Sequence, residues 1–258
     1  MSQRRPPSLA LPPAVAHAVW RGDHLLRTQQ VCAPSGWAAL DAELPGHGWP
    51  SHSLIEVLQA QAGQLEWRLA ATALQQQSLQ RQAIVALGAP LPPHASGLAQ
   101  QGIAPEQLVW VQGGSPQDQL WALEQLLRAN AAGALLAWLP QALPEQIRRL
   151  QISAQQFAGL VFLFRPEPCR HQASAAPLRL LARASSPWAL QLQILKRRGP
   201  VHVGWLDLPA VPHCLQAALT PRMQPEAPHS PQHMSPLPAQ PHDTALGRPV
   251  APRPALQH

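Results

Sequence analysis

Apolar residues along this chain follow two alternating rhythms. The first is a set of short, nearly unbroken runs: Leu54-Ile55-Glu56-Val57-Leu58, Ala83-Ile84-Val85-Ala86-Leu87, Leu108-Val109-Trp110-Val111, Ala134-Leu135-Leu136-Ala137-Trp138 and Leu160-Val161-Phe162-Leu163-Phe164. Runs of this length, ended by Gly, Pro or polar residues, predict strands buried on both faces. The second rhythm is helical. Residues 64–80 place Leu65, Leu69, Leu74 and Leu79 roughly along one face, and a short helix is expected over 94–101. Ser115 reads as the cap of a helix with Asp118 in its first turn, a stripe of Leu120, Leu123, Leu126 and Leu127, and an end near Asn130. Pro144 begins another helix that runs to about Phe157. Strands and helices in alternation predict a parallel sheet covered by helices on both faces.

Beyond Arg165 the rhythm changes to a period of two. Trp188, Leu190, Leu192 and Ile194 alternate with Ala189, Gln191 and Gln193, the pattern of a half-buried antiparallel strand. Leu178 to Ala184 precedes it across a Ser185-Ser186-Pro187 turn, and Val201 to Leu206 follows it across Arg198-Gly199-Pro200. The expected fold is therefore an α/β core with a mostly parallel sheet, extended by antiparallel C-terminal strands. Trp188 and Trp205 fall in the apolar strand patterns and are expected in the core.

The ends of the chain differ from this middle. About a third of the 31 prolines lie between Pro221 and His258, a stretch without Trp, Phe or Ile. Such a segment cannot bury enough apolar surface to offset the entropy of ordering it. The expected organisation is a disordered arm over 1–17, a lead-in segment over 18–53 packed on the core, the α/β domain over 54–208, and a disordered tail over 209–258.

Composition narrows the chemistry. The formal net charge is +6, and of nineteen Lys and Arg residues only Lys196 is lysine, so lysine-based catalysis away from that position is excluded. Three widely spaced cysteines, Cys32, Cys169 and Cys214, cannot build a disulfide framework. With neither a signal-type N-terminus nor an apolar run of membrane-spanning length, the expectation is a cytoplasmic protein with no membrane partner. Cys169-Arg170-His171 and His213-Cys214 lack the ligand spacing of a zinc site, and no Gly-x-Ser-x-Gly elbow occurs. No metal or cofactor is expected.

The stretch from Pro34-Ser35-Gly36-Trp37-Ala38-Ala39-Leu40-Asp41 through Pro45-Gly46-His47-Gly48-Trp49-Pro50 to Leu54-Ile55-Glu56-Val57 resembles the approach to a RecA-type ATPase core, and the order of elements afterwards matches as far as Phe164. A narrower resemblance is to the ImuA family, RecA/SulA-like proteins associated with translesion DNA synthesis. It is carried by these residues together with Trp20-Arg21-Gly22, Leu120-Trp121-Ala122-Leu123-Glu124-Gln125, Ala137-Trp138-Leu139-Pro140, Phe162-Leu163-Phe164-Arg165-Pro166 and Leu195-Lys196-Arg197-Arg198-Gly199. The resemblance implies an accessory protein of mutagenic DNA repair. An ImuB-like relative of the Y-family polymerases and the error-prone polymerase complex would be its partners, and RecA itself and single-stranded DNA are further candidates. A SulA-like inhibitor of cell division, binding a tubulin-like filament protein, is the alternative of a different class.

Where the RecA-type ATPases carry G-x-x-x-x-G-K-[ST], this chain reads Gln59-Ala60-Gln61-Ala62-Gly63-Gln64-Leu65-Glu66-Trp67. One glycine remains, the lysine and hydroxyl are missing, and Glu66 introduces a negative charge where phosphate would need donors. The strand over 134–138 ends in Trp138-Leu139-Pro140 instead of the metal-organising aspartate. The strand around Ile84 is followed by Gly88-Ala89-Pro90 instead of the glutamate that orients water. The expectation is an NTPase relative without catalysis. What remains as candidate contact surface is the basic set Arg165, Arg170, Arg179, Arg183, Lys196, Arg197 and Arg198, opposed by Glu167 alone. It could meet DNA, meet a partner protein, or protect an exposed sheet edge by charge.

Overall fold

The computed structural model describes residues 31–211 and Leu215. The expected arm over 1–17, the Trp20-Arg21-Gly22 motif and all of the expected tail beyond 211 except Leu215 lie outside the described residues.

Two short strands, β1 (Cys32–Ala33) and β2 (Trp49–Pro50), pair antiparallel and bracket helix α1 (Ala38–Glu43). Each apolar run then forms its strand: β3 (Leu54–Gln59), β4 (Ile84–Leu87), β5 (Leu108–Val111), β6 (Ala134–Trp138) and β7 (Leu160–Pro166). The helices between them are α2 (Glu66–Leu79), α3 (Ala95–Gln100), α4 (Pro116–Ala129) and α5 (Pro144–Ala154). Three further strands, β8 (Leu178–Ser186), β9 (Ala189–Lys196) and β10 (Leu206–Pro209), complete an eight-stranded sheet of order β10-β9-β8-β3-β7-β6-β4-β5. The chain thus has an α/β fold whose sheet is mostly parallel and ends in antiparallel strands.

The period-two alternation of each strand sorts its side chains between two cores. Ile55, Val57, Phe162, Phe164, Leu180 and Leu192 face one side, where Leu40 of α1, Leu69 and Leu74 of α2 and Leu98 of α3 cover them. Leu54, Leu135, Val161 and Leu163 face the other, under Leu123 and Leu127 of α4 and Ile147 and Leu150 of α5. The start of α4 follows the sequence closely. Ser115 Oγ accepts from the Asp118 N–H, the Asp118 carboxylate accepts from the Ser115 N–H, and the helix closes on Asn130 in the left-handed region.

Several details differ from the sequence pattern. β5, expected to be buried on both faces, is the edge strand of the sheet, and Val109 and Trp110 are exposed because β4 is its one neighbour. Leu79, five residues past Leu74 and so well off its face, is 77% exposed at the end of α2. The last strand is Leu206–Pro209, not Val201 to Leu206: Leu206 and Leu208 oppose Leu192 and Leu190 of β9, whereas Val201 and Val203 stand in solvent. The ordered core therefore runs past 208 through Ala210, whose N–H donates to the Trp188 carbonyl at 2.7 Å. Trp205 is not a core residue. Its ring lies at the surface with the Arg183 guanidinium 4.1 Å above the centroid, while Trp188 is half-buried in the β8–β9 turn.

Two tryptophans of the lead-in segment contact the rest of the fold. Trp49 is fully buried edge-on to Phe162 with ring centroids 5.3 Å apart, and Trp37 Nε1 donates to the Pro209 carbonyl at 2.6 Å.

Candidate functional site

The C-terminal ends of β3 and β6 and the N-terminus of α2 meet at one point, the place where an open α/β sheet ordinarily binds ligands. Chain geometry explains the meeting. β3 runs into an exposed loop, Gly63 turns it at φ +90°, and α2 begins at Glu66 with its first N–H groups unsatisfied by the helix itself. β6 lies two strands away across β7 and ends in Trp138, whose ring packs on Phe164 with centroids 4.9 Å apart and on Trp67 at 6.2 Å.

The Glu66 carboxylate occupies this point. Its Oε1 accepts from the Gly63 N–H at 2.7 Å, from Gln59 Nε2 at 2.7 Å and from Trp138 Nε1 at 2.8 Å. Its Oε2 accepts from the Leu65 N–H at 3.0 Å. The side chain is buried at the first residue of α2. Sequence reading placed Glu66 as an intruding charge in a phosphate-type loop; the structure makes it the acceptor for that loop's donors.

A cation close by in the chain does not replace the missing lysine. Arg68, in the first turn of α2, donates from Nη1 to the Pro187 carbonyl at 2.8 Å and from Nη2 to the Gln64 carbonyl at 3.1 Å. Burial lowers its pKa, partly opposed by the nearby Glu66 carboxylate. The strand ends carry no carboxylate either: β6 closes on Trp138-Leu139-Pro140 and β4 on Gly88-Ala89-Pro90. Among the described residues, no group of three or more His, Cys, Asp and Glu side chains could hold a metal ion.

The seven basic candidates divide into two classes that sequence could not distinguish. Arg165 and Arg179 are no surface at all. Both are buried, and both reach the buried Glu56 in the middle of β3: Arg165 Nη1 donates to Oε1 at 2.9 Å and Arg179 Nε to Oε2 at 2.6 Å. Other nitrogens of the two guanidinium groups tie down the loop after β6 and the segment after β7. Arg165 Nη2 donates to the Ala142 carbonyl and Gln172 Oε1, and Arg179 donates to the Cys169 and Gln172 carbonyls. The reason is register. Glu56 pairs laterally with Arg179 of β8 and lies two residues from the level of Arg165 on β7, on the same face, so one acid in the central strand draws a base from each neighbour.

The other five stay near the surface. Arg197 is largely covered and bonds to the Glu43 carboxylate at 2.7 Å and to the Glu43 and Pro200 carbonyls, fastening the β9–β10 loop to α1. Arg170 lies 3.8 Å from Glu167 in an exposed pair. Arg183 stacks on Trp205 and donates to Gln191 Oε1, which is tied in turn to Asp207 through Gln191 Nε2. Lys196 donates to the Ser174 carbonyl, and Arg198 is exposed beside Pro45 and Pro177. The exposed basic members are thus Arg170, Arg183, Lys196 and Arg198, and they are spread out: Arg183 stacks on Trp205 past the Gln59 end of β3, whereas Arg198 lies beside Ser53 at the strand's other end. Arg–aromatic stacking across non-adjacent segments has no periodic signature, so no sequence signal could have found that pair.

No helix among the described residues is long and apolar enough to cross a membrane. In comparisons with known proteins, no family model and no curated protein matches the chain.

Proposed function

We propose that this chain is a non-catalytic accessory protein of SOS-induced translesion DNA synthesis, similar to the ImuA family, with a RecA-like core that serves as a docking scaffold in the cytoplasm. Its direct partner would be an ImuB-like relative of the Y-family polymerases, through which it joins an error-prone polymerase complex. The observation that carries this reading is the Glu66 carboxylate seated on the donors of the loop after β3. Phosphoryl transfer needs those donors, a lysine and a metal-holding hydroxyl free to meet a nucleotide. Here the donors are engaged internally, and neither the lysine nor the hydroxyl is in the loop.

A core without a nucleotide cycle can still act through its surface. Arg183 stacks on the exposed Trp205, the pairing of Arg and aromatic residue enriched at interfaces, and Lys196 and Arg198 add exposed positive charge at and after the end of β9. The scaffold reading assigns this face of the C-terminal strands to a partner protein.

The test is capture of the tagged full-length chain from cells treated with a DNA-damaging agent. Recovery of a Y-family-like polymerase relative, reduced at least tenfold by the triple variant Arg183→Glu, Lys196→Glu, Arg198→Glu, is the expected result. Absence of any polymerase-like partner, with filamentous cells and an unchanged mutation rate on overexpression, would replace this reading with the cell-division alternative.

A further inference from the structure

Four hydrogen-bond donors from three elements converge on a single point, and that point holds an anion. The Gly63 and Leu65 N–H groups come from the turn into α2, the Gln59 amide from the end of β3, and the Trp138 indole from the end of β6. Three of the four crowd onto Glu66 Oε1, at 2.7, 2.7 and 2.8 Å. An ordinary helix start needs only a short Ser, Thr, Asp or Asn side chain at the N-cap. This one has leucine at the N-cap, and the first helical residue folds back instead.

A second observation is independent of the helix end. Gln59 is 2% exposed, and its amide is turned so that Nε2 faces the carboxylate while its own Oε1 is left buried without a partner. A buried carbonyl without a partner is unfavourable. The amide adopts this orientation because the space before it is occupied by negative charge.

We propose that the loop from Gln59 to Glu66 is an oxyanion cradle whose resident ligand is the chain's own Glu66 carboxylate, and that removing this carboxylate uncovers a site for a tetrahedral oxyanion such as inorganic phosphate or sulfate. Two backbone N–H groups, an amide and an indole offer donors alone to this point, three aimed at one oxygen and the fourth at its neighbour, so two oxygens of a tetrahedral oxyanion would take the places of the two of Glu66. Glu66 also does permanently what a bound ligand would do only while present: it ties the loop after β3 to the end of β6. The core is thereby held in one state. The inference deepens the scaffold reading and rests on its premise that the wild-type loop takes no nucleotide phosphate.

The experiment compares thermal unfolding of the full-length wild-type chain, Glu66→Ala and the control Glu145→Ala, an exposed carboxylate. Each is measured in sodium phosphate and in sodium chloride of equal ionic strength. Phosphate stabilises proteins generally by exclusion from their surface, so the quantity read is the excess shift over the control. The cradle predicts a saturable rise in the midpoint of Glu66→Ala of several degrees beyond that of Glu145→Ala, with no excess in wild type. Equal shifts in all three overturn it, as does an equal excess in wild type. Should Glu66→Ala be recovered unfolded from chloride, it is refolded in each salt. A cooperative transition regained in phosphate alone supports the cradle, and failure in both salts overturns it. Polymerase capture by the wild-type chain is a separate readout, so a failed cradle leaves the scaffold reading standing and a failed capture leaves the cradle standing.

Discussion

Substituting Glu56 distinguishes a structural arginine cluster from a contact surface. The triad of Glu56, Arg165 and Arg179 holds two cations and one anion, with side-chain exposures of 0%, 1% and 9%. Glu56→Ala leaves two buried guanidinium groups facing each other without their acid. Removing one partner of a buried ion pair costs about 3–5 kcal/mol, a large part of the ~5–15 kcal/mol that stabilises a domain. Arg165→Met behaves differently. It removes the surplus charge and leaves the bond of Arg179 to Glu56 intact, so the expected cost is smaller, about 1–3 kcal/mol and mostly from the unpaired Ala142 carbonyl and Gln172 side chain. Urea unfolding followed by tryptophan fluorescence measures both. With a slope of about 2 kcal/mol per molar urea, Glu56→Ala lowers the midpoint by about 2 M and Arg165→Met by about 1 M. A loss below ~1 kcal/mol for Glu56→Ala, or a larger loss for Arg165→Met than for Glu56→Ala, would refute the buried-triad account and return Arg165 and Arg179 to the surface set.

Three further outcomes follow from local geometry. Hydrogen bonds from the Ser115 N–H and hydroxyl hold the Asp118 carboxyl below its ordinary pKa. Its contribution to stability is therefore full above the unfolded value of about 3.9 and is lost as pH falls through the lower folded value; Asp118→Asn should flatten the stability–pH curve in that acidic window alone, as read by chemical denaturation at a series of pH values. Burial, and then the nearby Asp41 carboxylate, raise the Cys32 thiol above its ordinary range. Alkylation by iodoacetamide should thus reach half its limiting rate at a pH above the ~8.5 of a free thiol, and a midpoint below it would contradict the burial of this strand. Gly36 sits at φ +97° with room for no Cβ, since one would lie 2.2 Å from Thr72 Oγ1. Gly36→Ala should cost about 1–3 kcal/mol in a urea titration, and a neutral result would mean that the lead-in segment does not dock on α2.

How much of this was legible in the chain depends on the kind of signal. Burial on two faces leaves an uninterrupted apolar run, and burial on one leaves a period of 3.6 or 2, so β3, β4, β6, β7 and α2 to α5 were each readable; β5 carries the same apolar run although it is the edge strand and none of its residues is buried. A cap is equally local: Ser115 and Asp118 are three residues apart, and their reciprocal bonds need no other part of the fold. The last strand was misplaced because its pattern is weak. Val201 and Val203 look as strand-like as Leu206 and Leu208, and only the inward Leu190 and Leu192 of β9 decide which pair is buried.

The same division governs the site. Sequence alone determined that the loop from Gln59 to Trp67 has no lysine or hydroxyl and that the ends of β4 and β6 have no carboxylate, because a missing chemical group is a property of composition. Only the tertiary structure decided what the charges present are doing. Glu66 lies 72 residues from the indole it accepts from, and Glu56 lies 109 and 123 residues from its two arginines. Such partners are set by strand order, here β8-β3-β7-β6, which no local pattern encodes. A charge in a sequence is a sign without a neighbour. Folding supplied the neighbours, moved two arginines from the expected surface into the core, and turned an acid that looked misplaced into the one that satisfies its loop.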